Sequence, residues 1–407
     1  MARIQRTFSP IDGSLLVERE LVELAALDAT AARARAAQGL WRAVPLVERV
    51  ARVRAFVERF AAKDEEIASE LTRQIGRPIT QAPGEIRGLV ERASHMADLA
   101  EVALADVNVG EKQGFTRFIR REPLGVVLVL APWNYPYLTA VNSIVPALIA
   151  GNSVILKHSD QTPLSAERFR DAMSEAGVPR DVFQIVHADH ATIGALIAGG
   201  GVDFVAFTGS VAGGDAVQRA AAVRRIGVGL ELGGKDPAYV RADADFSAAV
   251  ESLVDGAFYN SGQSCCGIER IYVAEPLYDR FVEAFVALTL QYRLGNPLDE
   301  QVNLGPVVRA SAADFVRGHI REAVALGAHA LIDPKRFEAD APGTPYLAPQ
   351  VLVHVNHEMR VMHEESFGPV VGILPVGSDE AAIAAMNDSR YGLTASLWTS
   401  DPDAGSR

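Results

Sequence analysis

The stretch DFVAFTGSVAGGDAVQRAAAVRRIGVGLELGGKDP, residues 203–237, decides the fold class. It opens on an apolar run from Phe204 to Phe207 and turns through Thr208-Gly209-Ser210. A helical segment follows at 211–222, with Gly213 and Gly214 near its start, and a second apolar run, IGVGLEL, closes the unit at 226–232. Two short apolar runs joined by a helix read as neighbouring parallel strands, because a parallel pair needs a crossover connection. Upstream, GVVLVLAP (125–132), SVILK (153–157) and DVFQIVH (181–187) repeat the pattern, with helical segments at about 136–150, 163–176 and 189–199. Near-continuous apolar strands belong to a sheet covered on both faces. The expectation is an α/β fold with an open parallel sheet, whose ligands bind beyond the carboxyl ends of the strands. The residues just past those ends are Pro132-Trp133-Asn134, Lys157-His158-Ser159-Asp160, Thr208-Gly209-Ser210 and Glu231-Leu232-Gly233-Gly234.

On the N-terminal side, Met1 to about Ser14 reads as a loop punctuated by Pro10 and Gly13. Three helical stretches follow at roughly 20–38, 46–72 and 80–104. Apolar residues there recur at three- and four-residue spacing, as in Val47, Val50, Val53, Phe56, Val57 and Phe60. From Gly110 to Leu124, Phe115, Phe118 and Ile119 alternate with Thr116, Arg117, Arg120 and Arg121, an exposed strand pattern. Such a strand is either an ordinary sheet edge or an arm that pairs with another subunit. On the C-terminal side a helix ends near Phe258, a cysteine loop follows, and Ile271-Tyr272-Val273 begins a second strand and helix series.

The 407 residues suffice for two domains, and 49% hydrophobic with 22% charged residues is ordinary for a globular enzyme. A formal net charge of −12 argues against nucleic acid or an anionic membrane as a partner. Two adjacent cysteines, Cys265 and Cys266, build no disulfide framework, which fits a reducing compartment. Neither a signal segment nor a bilayer-length apolar run is visible, so a cytoplasmic protein is expected. No metal site is expected.

Each chemical motif has a bland alternative when read alone. Small neighbours around Cys265 (Gly262, Gln263, Ser264, Gly267) let a substrate approach the sulfur, although intracellular cysteines are often simply small buried hydrophobes. The Gly209-Ser210 turn, with Gly214 behind it, offers backbone amides to a pyrophosphate, or is only a tight strand-to-helix turn. Lys157 and Asp160 suit ribose hydroxyls, or are a surface lysine and a helix cap. The Asn134 amide is either a helix cap or a donor aimed at an oxyanion.

Taken together, PWNYP, LKHSDQTP, FTGS, ELGGKDP, GQSCCGIER, EESFGPVV and NDSRYGL resemble the aldehyde dehydrogenase superfamily in order and spacing, from about Trp41 onward. The resemblance implies Cys265 as the nucleophile, Asn134 and the Cys265 amide as oxyanion donors, and Glu231 as the base that activates water against a thioester. It places Lys157 on the adenosine ribose and Ser210 near the pyrophosphate, with Glu365 and Phe367 near the nicotinamide end. Trp133, Ser159, Asp160, Gly209 and Gly214 complete the expected cofactor contacts. The cofactor is NAD or NADP, with Asp160 leaning towards NAD because a carboxylate repels a 2′-phosphate. Lys235, Asn387 and Gly392 match positions read as structural supports.

The implied domains are a nucleotide-binding domain at 1–105 and 123–231, a β-arm for subunit pairing at 106–122, and a second α/β catalytic domain at 232–407. The substrate is a small aldehyde, and a homodimer or homotetramer is expected. Three features depart from the family: Val211 after FTGS, Ser366 in EESFGP, and His158 in place of a common proline. Relatives usually continue beyond a segment such as YGLTASLWTSDPDAGSR, so the catalytic domain is expected to lack its C-terminal part. The rival expectation is a nucleotide- or partner-binding protein without turnover.

Overall fold

The structure is a computed structural model that describes residues 3–407. The chain forms two units. The first comprises residues 1–8, 15–71 and 82–231, and the second residues 9–14, 72–81 and 232–407.

In the first unit, β1 (Val126–Ala131), β2 (Ser153–His158), β3 (Phe183–Ile185), β4 (Phe204–Thr208) and β5 (Gly227–Glu231) form one sheet in the order β3-β2-β1-β4-β5. Every pairing is parallel. All six residues of β1 and of β2 are buried, as expected for strands covered on both faces. Helices α1 (Pro136–Ile149), α2 (Pro163–Glu175), α3 (His190–Gly199) and α4 (Val211–Ala222) connect the strands. Val126, Leu128, Ile155, Val205 and Leu196 meet in the core, where each fully buried side chain contributes about 1.5–3 kcal/mol. The strand order reverses between β1 and β4. A crevice for ligands opens there in such sheets, and Trp133-Asn134 and Gly209-Ser210 follow those two strands.

The N-terminal segment differs from the loop read in the sequence. Ile4–Phe8 pairs antiparallel with Leu15–Glu20. Its polarity is inverted, because Gln5 and Thr7 are buried while Ile4 and Phe8 are exposed, so the usual apolar-inward alternation is missing. The buried pair donates to the carbonyl oxygen of Asp160, from Gln5 Nε2 at 3.1 Å and Thr7 Oγ1 at 2.6 Å. The helical stretch expected at 46–72 is two helices, Leu46–Ala61 and Asp64–Ile75. The second starts on Asp64, Glu65 and Glu66, acids that favour a helix N-terminus. The stretch expected at 80–104 likewise divides into Ala82–Asp98 and Ala100–Leu104.

Residues 106–122 form a small ribbon in which Val107–Asn108 pairs antiparallel with Phe118–Ile119. Arg120 bridges to Asp106 at 2.9 Å and lies over the Phe118 ring. Phe115 (64%), Phe118 (47%) and Ile119 (58%) remain exposed.

The second unit holds β6 (Asp236–Val240), β7 (Ile268–Ala274), β8 (His329–Ala330), β9 (Gln350–Val353), β10 (Val370–Val376) and β11 (Ser396–Trp398) in the order β8-β9-β10-β7-β6-β11. Only the β8–β9 pairing is antiparallel. Helices α5 (Phe246–Phe258), α6 (Tyr278–Thr289) and α7 (Ala310–Ala325) follow in chain order. Phe258 of α5 and Phe281 and Phe285 of α6 pack with Val351, Val371 and Ile373 in its core. Among the described residues no helix is long and apolar enough to cross a membrane.

Candidate active site

Asn134 is buried in the turn from β1 to α1. It does not cap that helix. The N-cap is Tyr135, and the first-turn N–H groups of Tyr137 and Leu138 both donate to Glu85 Oε1 at 2.9 Å. Glu85, buried on the helix Ala82–Asp98, thus does the work that would otherwise occupy a capping side chain.

Lys157 closes β2 and is buried, with its Nζ 2.9 Å from the exposed carboxylate of Asp160. Asp160 does not cap α2 either, since Thr162 is that N-cap. His158, which had no role in the sequence reading, fastens this region. Its Nε2 meets the Pro136 carbonyl at 3.0 Å, and its Nδ1 accepts from the Ser159 N–H at 3.0 Å and lies 2.9 Å from Thr162 Oγ1. Complete burial pushes the imidazole down to about 4, so it is neutral and its Nε2–H donates to Pro136. One ring therefore ties the turn that carries Asn134 to the segment that carries Lys157, Ser159 and Asp160.

After β4, the Gly209 N–H donates to the Glu231 carbonyl at 3.0 Å, which joins that turn to the end of β5. Ser210 caps α4, its Oγ accepting from Gly213 at 3.2 Å. The Phe207 ring lies so close that a methyl group at Gly209 or Gly213 would meet it at 2.8 or 2.6 Å. Gly214 is buried in the first turn of α4, which carries no acidic residue. Glu231 itself is exposed.

In the second unit the cysteines occupy a tight turn, with the Gly267 N–H on the Ser264 carbonyl at 3.1 Å and Cys265 and Cys266 between them. Three consecutive residues ahead of it are left-handed: Asn260 (φ 52°), Ser261 (φ 56°) and Gly262 (φ 70°). For non-glycine residues that conformation is costly, and buried polar contacts hold it. Gln263 accepts from the Val308 N–H at 2.7 Å and donates to the Asn260 carbonyl at 3.0 Å. Arg77 donates to Asn260 Oδ1 at 3.2 Å, and Ser261 Oγ donates to the Gly305 carbonyl at 2.8 Å. A methyl group at Gly262 would lie 2.3 Å from the Gly368 oxygen, and one at Gly234 would lie 2.7 Å from the Cys265 oxygen. The ELGGK segment therefore abuts the cysteine turn through a position only glycine can fill.

The two thiols are unlike. Cys266 is exposed and Cys265 half-buried. Ser264 Oγ lies 3.3 Å from the Cys266 sulfur. The two adjacent thiols act on each other: Cys265 lowers the Cys266 thiol, and Cys266, together with burial, raises the Cys265 thiol.

Glu365 packs directly over Gly233, where a methyl group would meet its carboxylate oxygens at 2.3 and 2.4 Å. Burial, reinforced by the neighbouring Glu269 charge, raises its carboxyl to about 7. Its Oε1 is buried without a hydrogen-bond partner among the described residues. Phe367 is left-handed, with φ 51°. Asp236 is likewise raised to about 6, first by burial, with Thr394 donating to it.

These features fit a dinucleotide cofactor. The α4 N-terminus carries a glycine-lined turn with no acid in its first turn, which suits a pyrophosphate, while the orphaned Glu365 oxygen suits a ribose hydroxyl. Sequence reading passed over Glu85, Arg77, Asn260 and Glu269. Of these only Asn260 and Glu269 flank the cysteines closely enough to have drawn attention.

An open parallel sheet in the order β3-β2-β1-β4-β5, followed by a cysteine turn that leads into a second, mostly parallel sheet, is an α/β architecture of the dinucleotide-binding type. The aldehyde dehydrogenase family model matches residues 2–407, and the chain belongs to that family. It is 35% identical over 398 residues to an aldehyde-dehydrogenase-like protein of Sinorhizobium fredii, covering 97% of this chain and 76% of that protein. Over 365 residues it is 34% identical to lactaldehyde dehydrogenase of Escherichia coli K12, covering 89% and 76%. Among solved structures, NADP-dependent glyceraldehyde-3-phosphate dehydrogenase of Bacillus halodurans C-125, complexed with NADP, matches with a TM-score of 0.91 at 32% identity, covering 99% of this chain and 84% of that one.

Proposed function

We propose that this chain, an NAD(P)-dependent enzyme of the aldehyde dehydrogenase family, oxidises a small aldehyde to its carboxylic acid through a thioester on Cys265. The observation that carries this reading is the cysteine turn, closed by the Gly267 N–H on the Ser264 carbonyl and packed against the ELGGK segment at Gly234. Cys265, the second residue after Gln263 in the family motif, adds its sulfur to the aldehyde carbon. The thiol proton of Cys265 is lost to solvent before addition, so the attacking species is the thiolate. The alkoxide formed is held by the Asn134 amide and the Cys265 backbone N–H. NAD(P)+, when bound, supplies the hydride acceptor. Loss of hydride from the tetrahedral carbon leaves a thioester. Glu231, exposed at the end of β5, takes a proton from water as its oxygen adds to that thioester, releasing the acid and restoring the sulfur anion.

Lys157, Asp160, Gly209, Ser210, Gly214, Glu365 and Phe367 hold the cofactor, with Trp133 and Ser159 beside them. The exposed Asp160 carboxylate favours the free 2′-hydroxyl of NAD, and its ion pair with Lys157 moderates that preference. The exposed apolar ribbon at 106–122 pairs with a second copy. The test is a mass measurement on quenched reactions with an aldehyde and NAD(P)+. Glu231→Gln accumulates an acyl adduct on the peptide containing Cys265, Cys265→Ala forms none and is inactive, and Cys266→Ser remains active. An adduct mapped to Cys266, or an active Cys265→Ala, refutes the assignment.

A further inference from the structure

The segment that carries Glu365 and Phe367 is held by a residue to which the motif reading gave no role. Glu269 is the second residue of β7, four positions after Cys265, and is buried. Its Oε1 accepts the N–H groups of Ser366 at 3.1 Å and Phe367 at 2.9 Å. Its Oε2 accepts Ser366 N–H at 2.8 Å and pairs with the buried ammonium of Lys235. Two successive backbone amides converging on one carboxylate make a charge-assisted clamp. The clamp closes at the residue whose backbone least favours its own conformation, since Phe367 is left-handed at φ 51°.

Ser366 is gripped from its other side as well. Its Oγ receives a hydrogen bond from Lys235 Nζ at 3.2 Å and lies 3.1 Å from His319 Nδ1. The serine that departs from the aliphatic residue usual in this motif is thus part of a buried polar chain running from His319 through Ser366 and Lys235 to Glu269. With residue 366 fixed at both backbone and hydroxyl, its neighbours on either side have fixed directions. The anchor is also the strand that continues from the cysteine turn, so one element carries both groups.

We propose that Glu269 is a positioning residue for the cofactor: its carboxylate fixes residues 365–367 so that Glu365 and Phe367 present a preformed surface to the nicotinamide end of NAD(P). This rests on the reading of Glu365 and Phe367 as cofactor contacts. A merely structural Glu269 would lower stability and leave the balance between cofactor and aldehyde kinetics unchanged.

The test compares Glu269→Gln, Glu269→Asp and Glu365→Gln with the parent enzyme. Each is checked for folding by circular dichroism, then measured for NAD(P)+ dissociation constant, cofactor KM and aldehyde KM. Misplacing a contact surface by a fraction of an ångström weakens binding by about tenfold. The expected result is a cofactor dissociation constant raised about tenfold in Glu269→Gln, with aldehyde KM within about twofold of the parent, and an intermediate value in Glu269→Asp, which keeps the charge but not the reach. A folded Glu269→Gln that binds cofactor normally while Glu365→Gln does not overturns the inference alone. Normal binding by Glu365→Gln overturns the cofactor reading and the inference with it. Equal increases in both KM values overturn the inference by showing general loosening. Should the Glu269 variants not fold, hydrogen exchange on the parent decides: slow exchange at the Ser366 and Phe367 amides supports the clamp, and exchange at the rate of an open loop overturns it.

Discussion

Replacing Glu365 by glutamine should change how stability responds to pH, in a direction the structure fixes. Burial over Gly233, beside the negative charge of Glu269, raises the Glu365 carboxyl from 4.5 to about 7. An unfolded chain titrates this group near 4.5, so between the two values the folded state binds the extra proton. The contribution to stability is therefore complete below 4.5 and is lost as pH rises through 7. A difference of that size corresponds to about 3 kcal/mol at pH 8 and above, where the folded protein must hold a buried charge. Glutamine has nearly the same shape and no charge to bury. The melting temperature of Glu365→Gln, in the absence of cofactor, should track the parent at pH 5 and pull ahead of it through pH 6 to 8. The gap should level off at roughly 3–5 °C. Differential scanning fluorimetry across pH 5–9 reads this directly, and the difference curve cancels titrations common to both proteins. Parallel curves over the whole range, or a parent that gains on the variant as pH rises, would refute the reasoning.

His158 gives the opposite pH response. Its imidazole is held neutral by burial, down to about 4, so its contribution is present above 6.5 and disappears as pH falls through 4. His158→Asn should flatten the acid limb of the melting profile, and an unchanged limb would count against the assigned protonation state. Gly262→Ala introduces both a left-handed alanine and a 2.3 Å approach to the Gly368 oxygen, and should cost more than about 2 kcal/mol in urea titrations. Gly392→Ala meets nothing within 4 Å and should stay within about 0.5 kcal/mol of the parent.

The parallel strands of the first sheet were legible because β1 and β2 are buried along their whole length, and a strand covered on both faces has to be written in apolar residues. The turns that follow those strands were legible for the same reason, since they are where the apolar runs stop. The N-terminal hairpin was not, because its inward positions are Gln5 and Thr7, chosen to satisfy the Asp160 carbonyl rather than to bury hydrocarbon. No periodicity scan detects a strand whose buried face is polar. Cys265 stood out through its small neighbours, but the supports of its turn did not. Arg77 lies far away in sequence, and its bond to Asn260 exists only once the chain has folded. Glu269 sat inside a quoted motif and still read as an ordinary charge, because its partners are the backbone amides of residues 366 and 367.

The glycines and the buried carboxylates of the second unit belong to one physical arrangement. Glu365 can settle against the ELGGK segment only because residue 233 has no side chain, and the cysteine turn can settle there only because residue 234 has none. Such close approach crowds the buried carboxylates of Asp236 and Glu269 against the half-buried Glu365, and among the described residues Lys235 supplies the ammonium at hydrogen-bond distance from the group. One positive charge cannot neutralise three crowded carboxylates. Lys235 pairs with Glu269, while Asp236 and Glu365 are raised to about 6 and about 7. The carboxylate that the lysine pairs with is also the one that accepts the backbone amides of residues 366 and 367. Both raised carboxyls, Asp236 and Glu365, keep a buried oxygen without a partner among the described residues, and that of Glu365 is open to a ligand hydroxyl. Backbone proximity, made possible by two glycines, thus places a carboxylate that holds the segment beside a raised carboxyl that can bind through it.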